Sequence, residues 1–218
     1  MNKDLAHFLD LFGCRCNANT SITAMSNSST SIFFAGTSAQ ELLSINLHTG
    51  NIVRRTPTFS LCNYLVDTSN GLVTGSLDGC VRIHDARKSM DVVRSIQAHT
   101  SGVKGLEVGG NFLFTIGTGT RWSAYLSLIP SQFIYWCVRQ GHPFPDPLVK
   151  IYDMRTMRAL PPVPFSGGPA FLNRLPTKSS LIVVTSNEGL ANIVDVSNPS
   201  DSQFHQVRSS EASLMTNR

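Results

Sequence analysis

The apolar and polar positions of this 218-residue chain recur in a unit of about forty residues. Four segments stack on one another. They are SIFFAGTSAQELLSINLHTGNIV from Ser31, GLVTGSLDGCVRIHDARKSMDVV from Gly71, FLFTIGTG from Phe112 continued as LVKIYDMRTMRAL from Leu148, and SLIVVTSNEGLANIVDVSNPSD from Ser180. Each holds an apolar β-rich run, a turn of small residues, a second alternating run and a polar turn. In CVRIHD, Val81 and Ile83 fall on one face, the period of a strand. A helical repeat would need apolar residues three and four apart, and good helix formers are scarce, with four Glu and five Lys.

The step from Gly36 to Gly75 is 39 residues, from Gly75 to Gly117 it is 42, and from Asp153 to Asp195 it is again 42. Asp85 to Asp153 is 68, an excess of 26 over the regular step, so the third copy carries an insertion. A period near 40 with several short strands per unit predicts blades of a β-propeller. Strands near Ser31–Gly36, Gly71–Ser76, Phe112–Gly117 and Leu181–Ser186 are expected as the second strand of each blade. The SLDG stretch reads as the turn between two antiparallel strands, with Asp78 accepting backbone N–H bonds and Gly79 taking a positive φ.

Asp85 closes the next strand, where WD repeats carry their Trp-Asp pair. The chain has His84-Asp85, Tyr152-Asp153 and Val194-Asp195 there, and the first copy has Asn46-Leu47, so these are degenerate WD repeats. His99, in AHTSGV, stands where such repeats place a His before the first strand. The fold class is therefore all-β, a WD-repeat propeller of about four blades. It is expected over residues 20–207 with the insertion near 120–137, an irregular or incomplete blade edge at 1–19 and a tail at 208–218.

Composition narrows the functional classes. A hydrophobic content of 41% with mean hydropathy of zero fits a domain with a core. The net charge of +4 is spread out, with no basic run longer than Arg54-Arg55, so direct nucleic-acid contact is neither argued for nor excluded. The five cysteines are odd in number and irregularly spaced, with no CxxC and no metal-spaced His pair; this fits a reducing, cytoplasmic compartment. LAHFLDLFGC is interrupted by His7 and Asp10 and lacks a small-residue cleavage site, so it is not read as a signal peptide. The apolar stretch Ser123–Val138 is too short for a membrane span. The sequence holds no GxSxG, HExxH or P-loop, and no cofactor or metal site is expected.

Asp78, Asp85, His99, Asp153 and Asp195 recur with the repeat instead of converging on one pocket. That assigns them, with His84 and Tyr152, to turns and buried backbone, not to acid–base chemistry. Asp-x-Arg occurs twice, as Asp85-Ala-Arg87 and Asp153-Met-Arg155. Arg87 and Arg155 are candidates for partner docking at one rim, or alternatively pair with a neighbouring blade. The stretch Arg121–Trp136 holds both Trp residues and falls in the insertion, as a binding protrusion or as a translated intron foreign to the fold.

Three stretches, CVRIHDARKSMDVVRSIQAHTSGV, GHPFPDPLVKIYDMRTMRALPPVPFSGGPAFLNRLP and LIVVTSNEGLANIVDVSNPSD, resemble a known family. It is the WD-repeat domain of the catalytic subunit of the poly(A)-nuclease (PAN) deadenylation complex, of the fungal type. The resemblance covers roughly Ile22 to Val207, and Asp146–Leu172 is its most specific part. It implies a seven-bladed propeller, of which about four blades are present here. In the family the propeller precedes a dead ubiquitin-hydrolase-like domain and an exonuclease that trims cytoplasmic mRNA poly(A) tails. This chain has no match to the nuclease, so no catalytic residue is carried over. The resemblance implies a non-catalytic scaffold, with a regulatory pseudokinase subunit and the poly(A)-binding ribonucleoprotein as partners. The competing expectation is a WD-repeat substrate receptor of a cullin-type ubiquitin ligase, since such receptors use Asp-x-Arg at the rim.

Overall fold

Short runs of β-branched, aromatic and aliphatic residues, punctuated by turns, form seventeen strands and no helix among the described residues. The computed structural model describes residues 20–26, 31–69, 71–85, 89–119, 144–165, 167–175, 178–197 and 203–206. The strands make four antiparallel sheets in chain order. The first holds β1 (Ile22–Met25), β2 (Ile32–Thr37), β3 (Glu41–Asn46) and β4 (Ile52–Pro57). The second holds β5 (Cys62–Thr68), β6 (Gly71–Ser76), β7 (Cys80–His84) and β8 (Val92–Gln97).

The third sheet holds β9 (Val103–Gly109), β10 (Phe112–Gly119), the two-residue β11 (Phe144–Pro145), β12 (Leu148–Asp153) and β13 (Arg158–Pro164). The fourth holds β14 (Phe171–Arg174), β15 (Leu181–Thr185), β16 (Leu190–Asp195) and β17 (Gln203–Gln206). The runs expected as second strands are β2, β6, β10 and β15, each second in its sheet. The inner strands β1, β5, β9 and β14 lie side by side in succession, so the sheets are blades around one axis.

Because successive side chains on a strand point to opposite faces, each blade buries both faces. Phe34 and Leu42 of the first blade meet Cys62, Leu65 and Leu72 of the second. Val73, Val81 and Ile83 of the second meet Leu106, Leu113 and Tyr152 of the third. Phe114, Ile116, Val149 and Ile151 of the third meet Leu172, Ile182, Val184 and Val194 of the fourth. Neighbouring blades thus join face to face.

In the third blade β10 pairs directly with β12, from Phe112↔Asp153 to Thr115↔Lys150. At its far end Gly119 pairs with Phe144 of β11. The blade's own strands thus join on either side of residues 120–143. Thr120–Cys137, the expected insertion, lies outside the described residues, as do Cys14, Cys16 and Arg87.

Candidate functional site

The polar residues that recur with the repeat cluster at the blade junctions. The turn Ser76–Gly79 is closed by Gly79 N–H donating to Ser76 O at 3.1 Å, with Gly79 at φ +78°. Asp78 Oδ1 accepts the Cys80 amide at 3.0 Å, and Asp78 Oδ2 accepts Arg82 Nη2 at 2.5 Å. Burial works against the Asp78 carboxylate, but Arg82 and the Cys80 amide outweigh it and hold its pKa below the ordinary value. The Arg82 guanidinium also lies over the Phe59 ring, 5.5 Å from its centre.

His84 ends β7 with its ring buried. Nδ1–H donates to Met90 O at 3.0 Å, which leaves Nε2 to accept from the Thr74 hydroxyl at 3.1 Å. Asp85 follows and closes the turn through its backbone, its N–H donating to Asp91 O and its carbonyl accepting from Met90 N–H.

His99 has a wholly buried side chain and repeats this scheme one junction on. Nδ1–H donates to Asp146 Oδ2 at 3.1 Å, and Nε2 accepts from the Thr115 hydroxyl at 3.1 Å. Burial is the larger influence and depresses the pKa of His99, with Asp146 opposing; the same cause depresses His84. Both imidazoles are therefore neutral, and His99–Asp146 is a hydrogen bond, not an ion pair, near neutral pH. Lys150 completes the cluster, with Nζ 3.1 Å from Asp146 Oδ2 and 2.6 Å from Ala98 O. His99 and Lys150 hold the Asp146 carboxyl below its usual pKa against the cost of its burial.

Thr115, Asp146 and Lys150 are missed by the sequence reading, although the signal was present. Asp146-Pro-Leu-Val-Lys-Ile-Tyr-Asp aligns without a gap on Asp78-Gly-Cys-Val-Arg-Ile-His-Asp. Lys150 and Arg82 thus hold the same place on the third strand.

Tyr152 packs in the junction between the second and third blades. Asp153 and Asp195 close turns: Asp153 Oδ1 accepts Arg155 N–H at 2.9 Å, and Asp195 Oδ1 accepts Ser197 N–H at 3.0 Å. The Arg155 amide keeps the Asp153 pKa low, and Lys178 Nζ, bonded to Asp195 Oδ2, does so for Asp195. In the first blade Ile32 pairs with Asn46 as Phe112 pairs with Asp153. Asn46 Oδ1 accepts from the amides of His48 and Thr49, so an acceptor at the strand end is what the position requires. The pair in this copy is therefore Ile45-Asn46, a correction of one residue from Asn46-Leu47.

The named residues do not converge on one pocket. Among the described residues there is no group of three or more His, Cys, Asp or Glu able to hold a metal ion. A cleft of about 580 Å³ opens where all four inner strands contribute, from Met25 past Tyr64 and Glu107 to Arg174. Glu107 is half-buried there, and burial raises its pKa while Arg174 lowers it. At the same end of the strands as Gly110, which lines the cleft, the Arg155 side chain is 70% exposed, with Nε 3.4 Å from Asp153 Oδ1. Its carbonyl accepts from Arg94 Nη1 of the preceding blade at 2.9 Å.

A family model described as PAN2 N-terminal matches residues 8–217. The catalytic subunit PAN2 of the PAN2-PAN3 deadenylation complex of Cryptococcus neoformans is 36% identical over 170 residues, covering 76% of this chain and 13% of that protein. The Schizosaccharomyces pombe counterpart is 27% identical over 168 residues, 77% of this chain and 14% of that protein. The chain thus spans about one-seventh of the length of these relatives. Among solved structures, the Neurospora crassa Pan2 WD40 domain superposes with a TM-score of 0.72 at 24% identity, over 90% of this chain and 56% of that one. The computationally designed Ika4 protein gives 0.61 at 16% identity, over 83% of this chain and 94% of that one.

Proposed function

The chain belongs to the PAN2 N-terminal family, and from that premise we propose that it is a non-catalytic scaffold of a cytoplasmic complex that shortens mRNA poly(A) tails. The observation that carries this reading is the commitment of the repeat carboxylates. Asp78, Asp146, Asp153 and Asp195 are each tied to a turn or a blade junction, at separate places around the arc. Two-metal hydrolysis of a phosphodiester needs carboxylates gathered about ions some 4 Å apart. The chain itself is expected to contribute surface, and hydrolysis to reside elsewhere in the assembly.

The partners on this reading are the regulatory pseudokinase subunit and, through it, the poly(A)-binding ribonucleoprotein. Arg155, exposed on the rim beside Asp153, is the docking residue proposed within the described structure, with Arg87 its counterpart in the repeat sequence. Four blades over 56% of a solved WD40 domain accord with a ring of about seven. The direct pairing of β10 with β12 supports reading 120–137 as an insertion within a propeller of residues 20–207. The relatives lend no support to a ubiquitin-ligase receptor. No described helix is long and apolar enough to cross a membrane.

The test has two arms. Purified chain, labelled poly(A) and Mg²⁺ are expected to give no shortening beyond a chelator control. Metal-dependent shortening that follows the protein through purification would end the scaffold reading. Co-purification with the pseudokinase subunit is expected for the wild type and weakened at least tenfold by Arg155→Glu. Equal capture of both proteins would remove Arg155 from the interface.

A further inference from the structure

The cleft along the inner edge of the blades holds a carboxylate that the fold leaves unmatched. Glu107 stands on β9 opposite Phe114 of β10, so its side chain leaves the sheet on the face turned to the fourth blade. It lines the cleft and is half-buried. No described group donates a hydrogen bond to its carboxylate, and Arg174, on β14 of the fourth blade, acts on it only through space. Withdrawing a charge from water without a hydrogen-bonding partner is costly, so an arriving donor gains most at such a group.

The surroundings select the donor. Of the side chains lining the cleft, Asp67 and Glu107 are negative and Arg174 positive, which leaves the cleft one unit negative in a chain of net charge +4. Val66 and Val108 form an apolar wall beside the carboxylate. Each inner strand pairs outward: β1 with β2, β5 with β6, β9 with β10 and β14 with β15. No described strand lies on their inner edges, and a strand edge of this kind presents backbone N–H and C=O groups to whatever lies along it. The volume of about 580 Å³ suits a ligand of a few residues. In a ring of about seven blades these strands are one side of the central channel, and the cleft opens at the end marked by Ser69 and Gly110.

We propose that this cleft receives an arginine side chain carried on an extended peptide segment of a partner protein, with the guanidinium donating to Glu107 and the peptide backbone lying along the inner strand edges. Arginine suits the site better than lysine. Its guanidinium is less strongly hydrated, and its planar fork engages one carboxylate through two N–H groups. Its aliphatic stem has Val66 and Val108 to lie on. The site is independent of the rim residue Arg155 and of the complex the chain serves.

Fluorescence anisotropy of an N-terminally dye-labelled Gly-Ser-Arg-Ser-Gly amide against the full chain tests the site. The same peptide with citrulline, the neutral isostere of arginine, or with glutamate at its centre stands beside it. The arginine peptide is expected to bind about tenfold more tightly than the citrulline one. The net charge of +4 works against that order, so attraction to the chain as a whole cannot produce it. Glu107→Gln, which keeps the shape and removes the charge, is expected to erase the preference. Amide NMR shifts of the wild-type chain give a reading that does not depend on the folding of a variant. The arginine peptide should move β5, β9 and β14 and spare the outer strands β4, β8 and β13. Equal binding of the arginine and citrulline peptides up to ~1 mM would overturn the proposal. So would tighter binding of the glutamate peptide, a preference that survives in Glu107→Gln, or shifts confined to the outer strands.

Discussion

Replacing Gly117 by Ala tests whether the buried His99 cluster holds the second and third blades together. A Cβ at Gly117 would lie 2.4 Å from His99 Cγ, 2.5 Å from Cδ2 and 2.8 Å from Nδ1. Ordinary carbon contacts begin near ~3.5 Å, so the ring must retreat by about 1 Å. It has no free direction, because Nδ1 is tied to Asp146 and Nε2 to Thr115. Overpacking costs about 1–3 kcal/mol, and breaking two hydrogen bonds about 1 kcal/mol each. Gly117→Ala is therefore expected to destabilise by ~3 kcal/mol or more. With a urea slope of ~2 kcal/mol/M, that moves the unfolding midpoint by about 1.5 M. His99→Ala alone removes a large buried side chain at a comparable cost of ~3 kcal/mol. In the double variant the new methyl enters the space the ring has left, so the two losses do not add. The expected coupling is about 2 kcal/mol in favour of the pair. Urea titrations followed by far-ultraviolet circular dichroism supply all four corners of the cycle. Gly117→Ala within 0.5 kcal/mol of wild type (~), or strict additivity, would refute the cluster as a rigid junction.

Two further outcomes follow from buried polar groups. Burial holds His84 and His99 below the ordinary imidazole pKa, so the unfolded chain binds protons that the native one refuses; stability should be full above about pH 7 and fall as pH drops through ~6.5. Asp78 and Asp146, held low in the fold, add a second loss below about pH 4. A melting midpoint unchanged between pH 7.5 and 5.5, or a slope that survives His84→Gln/His99→Gln, would contradict this. Asn192, 0% exposed with neither Oδ1 nor Nδ2 bonded, faces an apolar junction; Asn192→Val should stabilise by ~1 kcal/mol, raising the melting midpoint by about 2–4 °C. A lowered midpoint would show that the amide is satisfied within the fold.

The blades were legible because their signals are local. Alternation in CVRIHD and the Asp78-Gly79 turn act within a few residues, and the 39- and 42-residue steps repeat them. The cluster around His99 was only half legible. Asp146 lies 47 residues along the chain from His99, beyond the insertion, so spacing alone does not join them. The first copy slipped by one residue because Asn46 ends its strand as the aspartates do, through an accepting side-chain oxygen and without the carboxylate that marks the other copies.

At the midpoint of the third strand the four blades carry Leu43, Arg82, Lys150 and Asn192, each facing the previous position in the arc. These are different keys cut for different locks. Arg82 fits Asp78 and Ser76, while Lys150 fits Asp146 and the Ala98 carbonyl. Asn192 has no such partner, its amide being buried without a hydrogen bond. A repeat gene is prone to gain or lose whole units by recombination between its copies. Here Ser76 and Asp78 would travel with Arg82, and Asp146 with Lys150, so a unit moved by one place would keep its own ion pair. What such a unit would leave behind is its apolar mate: Phe34 and Leu42 meet Leu65 and Leu72, whereas Val73, Val81 and Ile83 meet Leu106, Leu113 and Tyr152, so the order of the blades is held by the side chains that interlock between them.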